Sequence, residues 1–237
     1  SIDSIQNAPF MEKLNKRGYD VMLMVEPMDE YCMNQIKNYD DRTIVCVTKE
    51  GLTLEDTEEE KAAFTARVEA LAPLCKRVKE VLGEDVEKVV ISARLVTTPC
   101  VLVTGTFGWT ANMERLVKAQ ALTDQSTQVQ SQFMATRKTM ELNPEHPVVK
   151  ALEAMVGDAD SSKTLGDIVH LMFDTSLISS GFSLKDPARY ANHIHKLIGL
   201  GVGVEDVDKW EREVLGLPEE EEIPDEVDAD AEDEAEA

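Results

Sequence analysis

Basic side chains are scarce in this 237-residue sequence: 24 Lys and Arg stand against 46 Asp and Glu, a formal charge of −22 at pH 7. Such a surface repels phosphate backbones and anionic lipid, which argues against nucleic acid or a membrane as a partner. No apolar run is long enough to span a bilayer, and no signal peptide is expected from the first residues. Cysteine is also sparse. Cys32, Cys46, Cys75 and Cys100 form no Cys-x-x-Cys pair, and a chain of this length does not need disulfides, so reduced thiols are expected. No Asn-X-Ser/Thr sequon occurs. There are only two tryptophans and four histidines. His193 and His195 are two apart on an expected helix and point to different sides, while His146 and His170 are isolated, so no metal set is expected.

Two motifs imitate nucleotide loops and fail on chemistry. Gly157-Asp158-Ala159-Asp160-Ser161-Ser162-Lys163-Thr164 has Ser162 in place of the second glycine, two acids beside the supposed phosphates and no preceding strand. Gly199-Leu200-Gly201-Val202-Gly203 ends a helix instead of opening one. Cys75 and Cys100 read as buried small hydrophobes.

The length bounds one large domain or two modest ones. The last twenty residues, Pro218 to Ala237, hold twelve acids and no base, leaving −10 of the −22 to residues 1–217. A solvated, disordered acidic tail is expected there. The chain opens at Ser1 without methionine, which reads as a fragment or a processed product. Residues 1–52 read as helix (Ala8–Arg17, stopped by Gly18), strand (Tyr19–Val25), helix (Asp29–Tyr39) and strand (Thr43–Thr48): a small α/β layer with a parallel pair. Glu58–Leu82 carries a helical stripe ending at Gly83, with Pro73 able to kink or split it. Val86–Leu95 and Val101–Thr106, joined at Thr97-Thr98-Pro99, suggest an antiparallel pair. Thr123–Gln132 reads as a loop, Phe133–Leu142 as either strand or short helix, and Val148–Val156 as a helix.

Two helices close the folded part, Thr164–Ser179 and Pro187–Leu200. Leu165, Ile168, Val169, Met172 and Phe173 follow the spacing of a buried face, with Leu171, Leu177 and Ile178 on another side. Tyr190, Ile194, Leu197 and Ile198 stripe the second. A helix apolar on two sides has two neighbours, and two such hairpins make a four-helix bundle by two-fold symmetry. Packing of both stripes within one chain is the alternative.

The most informative stretch is Gly108–Leu122. Thr110 or Asn112 can cap a helix on which Met113, Leu116, Val117 and Gln120 form one apolar stripe. It contains no nucleophile, histidine or cysteine, so contact with something apolar is expected there. An opposing reading is a small α/β enzyme using acidic residues as general acid or base, or a generic interaction scaffold with an acidic surface.

Several segments, in this order and spacing, resemble the Hsp90 chaperone family. They are Arg17-Gly18-Tyr19, Glu26–Cys32, Val47–Leu52, Leu95–Cys100, the Trp109 segment, Glu141–Pro147 and Ser179–Leu184. The resemblance implies an α+β fold: residues 1–54 as the end of that family's middle domain, 55–217 as its C-terminal dimerisation domain and 218–237 as the acidic tail. It implies a homodimer through Ile168, Leu171, Met172, Ile194, Leu197 and Ile198, in a dimeric four-helix bundle. It implies contact with client proteins through Trp109, Met113 and Leu116, with burial of these residues in the core as the alternative. The family's ATP site and catalytic arginine lie upstream of Ser1, so ATP and Mg belong to the parent and no hydrolysis is expected here. Cytosolic members often end in Met-Glu-Glu-Val-Asp, which docks cochaperones through its terminal carboxylate. Here Asp225-Glu226-Val227-Asp228 is internal, with nine residues after it, so that docking is not expected. No Lys-Asp-Glu-Leu ending occurs either, which favours a cytoplasmic member.

Overall fold

The computed structural model describes residues 5–26, 28–54, 56–105, 108–121, 138–158, 162–204 and 214. The expected loop at Thr123–Gln132 and the acidic tail lie outside them. The chain divides into two compact units, Ser1–Tyr190 and Ala191–Ala237.

In the first unit a 3₁₀ turn, Pro9–Met11, leads into α1 (Glu12–Arg17). Gly18 ends it at φ +71, a left-handed conformation glycine adopts without strain. Beyond Gly18 the structure departs from expectation. Tyr19–Val25 is not a strand, and α2 spans only Asp29–Gln35. Asn38–Tyr39 (β1) and Arg42–Thr43 (β2) pair antiparallel about Asp40 and Asp41. Both aspartates have positive φ, as a two-residue hairpin turn of the primed type requires. The parallel pair read from Tyr19–Val25 and Thr43–Thr48 is therefore replaced by this hairpin. Tyr19–Val25 has no ladder partner among the described residues, Thr43 alone of Thr43–Thr48 belongs to a named strand, and Met22, Val25 and Val45 remain open to water.

Pro73 does split the long helical stretch. α3 (Glu58–Ala70) opens with a Thr57/Glu60 capping box, and α4 (Ala72–Leu82) carries Pro73 in its first turn and ends at Gly83. Proline has no N–H to offer there, and the first turn needs none. Three strands follow: β3 (Lys88–Ile91), β4 (Cys100–Thr104) and β5 (Lys138–Leu142). β3 and β4 do not pair with each other. β5 lies between them, parallel to β3 and antiparallel to β4.

Strand alternation assigns two faces. Cys100, Leu102, Met140 and Leu142 point into the main core, with Leu74, Val78 and Leu82 of α4. That core also takes Val149 and Leu152 of α6 (Pro147–Met155) and Leu165, Val169, Phe173 and Leu177 of α7 (Ser162–Ser179). Each such side chain contributes roughly 1.5–3 kcal/mol. Val101 and Val103 point the other way, against Phe10 and Leu95, with Ala8 and Val47 at the edge. Glu50 N–H donates to Thr104 O at 2.9 Å and Thr104 N–H to Thr48 O at 3.2 Å. The sheet is thus covered by helices on one face and by chain from residues 8–50 on the other.

α8 (Pro187–Gly201) has its first turn in this unit, capped by the Asp186 carboxylate, which accepts from Ala188 and Arg189 N–H at 3.0 and 3.1 Å. Arg189 also pairs with buried Asp174 of α7 at 3.3 Å. In the second unit, α8 ends in the glycine series as expected, with Gly203 at φ +84 and Val204 N–H donating to Gly199 O.

Candidate functional site

α5 (Ala111–Ala121) is the helix expected after Trp109. Thr110 is its cap: its Oγ1 accepts from Met113 N–H at 3.3 Å and donates to Glu30 Oε2 of α2 at 2.6 Å. One hydroxyl both satisfies a free N–H of the first turn and ties the helix start to α2. Trp109, Met113 and Leu116 are all half-buried, while Val117 is buried. The three apolar candidates thus share one segment, and each keeps part of its surface in water.

The polar side of α5 was not visible in sequence reasoning. Glu114 is buried and pairs with Lys118 of its own helix at 2.6 Å and with buried Lys138 of β5 at 3.1 Å. Burial pushes the Glu114 carboxyl up. The hydrogen bond from Lys118 and the Lys138 charge outweigh that, so it lies below the ordinary carboxylate range. Burial pushes the Lys138 ammonium down, and Glu114 only partly restores it. Lys138 Nζ also sits 4.7 Å from the centre of the Phe182 ring, a cation–π distance. The available signal was parity: Lys138, Met140 and Leu142 alternate along one strand, so Lys138 had to face the core side.

The opposite face of β5 carries a second buried pair. Arg94 Nε donates to Glu141 at 2.9 Å, and its two terminal nitrogens donate to the carbonyls of Val47 and Lys49 at 2.5 and 3.0 Å. Ser92 Oγ bonds the same carboxylate at 2.8 Å. Beside them an open cavity of about 400 Å³ is lined by Glu50, Phe64, Lys88, Thr139 and Glu141. Its charges answer one another, Lys88 with Glu50 at 2.7 Å and Arg94 with Glu141. At the far edge of this seam, the Glu12 carboxylate accepts from the N–H groups of Val96, Thr97 and Thr98 and from the hydroxyls of Thr97 and Thr98. Burial raises the Glu12 carboxyl, and these donors together more than reverse it.

The other candidates lie on α7 and α8. Ile168 and Leu171 are half-buried, and Met172 belongs to the chain's own core. On α8, Ile194 is half-buried, while Leu197 and Ile198 are 48% and 57% exposed. All four cysteines are free thiols. Burial pushes Cys75 and Cys100 up to about 11, and Cys100 shares a 2.9 Å hydrogen bond with Ser176. His146 serves as a cap: its Nδ1 accepts from Val148 N–H at the start of α6. Among the described residues no cluster of three His, Cys, Asp or Glu is placed to hold a metal.

A family model described as Hsp90 protein matches residues 1–235. The chain belongs to the Hsp90 family. It is 44% identical over 227 residues to the human "Putative heat shock protein HSP 90-beta-3", covering 96% of this chain and 37% of that protein. It is 44% identical over 202 residues to Heat shock protein 83 of Leishmania donovani, covering 85% of this chain and 44% of that one. Chloroplastic Heat shock protein 90-5 of Arabidopsis thaliana is 42% identical over 203 residues, 86% of this chain and 25% of that protein. The chain therefore spans less than half the length of these Hsp90 relatives and is part of an Hsp90 chaperone.

Proposed function

We propose that this Hsp90 region dimerises and contacts unfolded or partly folded client proteins. Dimerisation would use Ile168 and Leu171 on α7 and Ile194, Leu197 and Ile198 on α8. Met172 would support that face from within. The observation that carries this half is the exposure of Leu197 and Ile198, two large aliphatics side by side on one helix. Covering a handful of such side chains from each copy, at roughly 1.5–3 kcal/mol apiece, offsets the entropy lost on association.

Client contact would use Trp109, Met113 and Leu116. What supports it is that α5 is anchored on its polar side by Glu114 and at its start by Thr110, while these three apolar side chains stay partly in water. ATP with Mg would belong to the full-length parent, and cochaperones remain possible partners without the terminal Met-Glu-Glu-Val-Asp carboxylate. We place the protein in the cytoplasm, although relatives named for the chloroplast and the mitochondrion match as well.

One experiment with two arms tests the reading. Light scattering at micromolar concentration should give a dimer, and Ile194→Asp with Leu197→Asp should give a monomer, because a dimer interface would bury unpartnered charge. A monomeric parent sinks the first half. Trp109→Ala in the full-length protein should reduce protection of an unfolded model client several-fold. Unchanged protection with an intact fold sinks the second.

A further inference from the structure

Three holds fix α5, and two of them lead to the same turn. The first is the Thr110–Glu30 hydrogen bond at 2.6 Å. The second is steric: a Cβ at Gly181 would sit 3.5 Å from the Ala111 Cβ, so the backbone of that turn lies against the first residue of the helix. The third is the buried Glu114–Lys138 pair, whose ammonium rests over Phe182.

Gly181 and Phe182 are the end of α7. Phe182 N–H donates to Leu177 O at 2.8 Å and Gly181 N–H to Ile178 O at 3.0 Å, with Gly181 at φ +83. These are the two bonds of a Schellman cap, and its usual apolar contact is present as Phe182 and Leu177 in one core cluster. The ring under Lys138 is therefore placed by the way α7 ends. Four residues further on, Asp186 caps α8. Phe182 and the Asp186 cap thus belong to one short turn, so a change in the path of that turn bears on the ring beneath Lys138.

We propose that Lys138 is a positioning residue that carries the conformation of the α7–α8 turn, through Phe182 on one side and Glu114 on the other, to the Trp109 helix. The mechanism is electrostatic. A ring that covers the ammonium keeps water away from the Glu114–Lys138 contact and keeps that contact strong. A displaced ring admits water, weakens the contact and loosens α5 from β5. Its bearing on clients rests on the reading of Trp109 as a contact residue; the connection itself does not.

Amide hydrogen exchange across α5 reads the connection directly, with α4 as the control because it packs on the same core. In the whole chain, Lys138→Met and Phe182→Leu should each speed exchange of residues 111–121 by about tenfold relative to α4. The double variant should show no more than the larger single effect, because the ring acts through the ammonium. Lys138→Arg, which keeps a cation over the ring, should stay within about threefold of the parent. Tryptophan emission in a Trp210→Phe background should shift with Phe182→Leu and lose that shift once Lys138 is Met. Effects that multiply to about a hundredfold in the double variant overturn the proposal, as does α5 exchange that Lys138→Met leaves at the parent rate. If Phe182→Leu fails to fold, the Met and Arg variants decide alone, and equal α5 protection in the two overturns it. Should Trp109→Ala spare client protection while the exchange effects stay non-additive, the client reading falls and the connection stands.

Discussion

β5 presents a buried ion pair on each face, and the two differ in kind. On the face toward residues 47–50, each of the three Arg94 nitrogens has an acceptor: one carboxylate and two carbonyls. On the helix face, Lys138 meets the Glu114 carboxylate, which Lys118 shares, and the Phe182 ring. A planar fork with each nitrogen aimed at a different acceptor has one geometry. A point charge over a π-face tolerates small displacements with graded loss. The first joins two stretches of backbone; the second leaves a helix adjustable.

Removing one partner from each pair should separate the two cases most strongly. Arg94→Met leaves the Glu141 carboxylate, 7% exposed, with Ser92 as its remaining donor and strips the Val47 and Lys49 carbonyls of theirs. A loss of about 3–5 kcal/mol in denaturant unfolding is expected. Lys138→Met should cost about 2 kcal/mol, because Glu114 keeps Lys118. Equal losses would erase the distinction.

Removing both partners sharpens it. Glu114→Leu with Lys138→Met should return to within about 1 kcal/mol of the parent, since an apolar pair of similar volume replaces a buried ion pair at little cost. Arg94→Met with Glu141→Leu should remain about 2 kcal/mol or more below the parent, because the Val47 and Lys49 carbonyls lose the charged donor that Arg94 supplies. A double-mutant cycle by chemical denaturation measures both.

The smallest effect belongs to Glu12, which closes the Arg94 side of the sheet from the edge. Its folded carboxyl lies below its unfolded value. It therefore adds stability that is complete above the unfolded carboxylate range near about 4.3 and is lost as pH falls through the folded value. Glu12→Gln should lower stability at pH 7 by about 1 kcal/mol, discounted for a site partly in water, and should flatten the acid limb of the stability curve. An acid limb unchanged in the Gln variant would remove Glu12 from this role.

Local signals in the sequence carried most of the helices. Gly18, Pro73, Gly83 and Gly181 fall where helices stop or divide, because each acts through its own backbone, and the Trp109 helix begins at the Thr110 cap. The sheet was less legible. The alternation at Val86–Leu95 and Val101–Thr106 identified strands but not their partner, since the central strand comes from Lys138–Leu142, far along the chain. The composition of Tyr19–Val25 and Thr43–Thr48 favours strands, yet composition does not supply a neighbour, and the short hairpin about Asp40-Asp41 takes only Thr43 of the second stretch. The buried charges escaped for a different reason. A lysine and a glutamate on amphipathic elements read as solvated until the facing element is known, and only the parity of Lys138 with Met140 and Leu142 hinted otherwise.

The order β3-β5-β4 has a consequence in time. A ribosome emits β3 and β4 first, both rich in β-branched residues, and in the finished sheet neither pairs with the other. At about 5–20 residues per second, the interval from Thr104 to Leu142 is a few seconds. Until it ends, two apolar strands wait with open edges on the nascent chain. The newborn Hsp90 chain is, for those seconds, the kind of incomplete sheet that aggregates, and its central strand is the last piece to arrive.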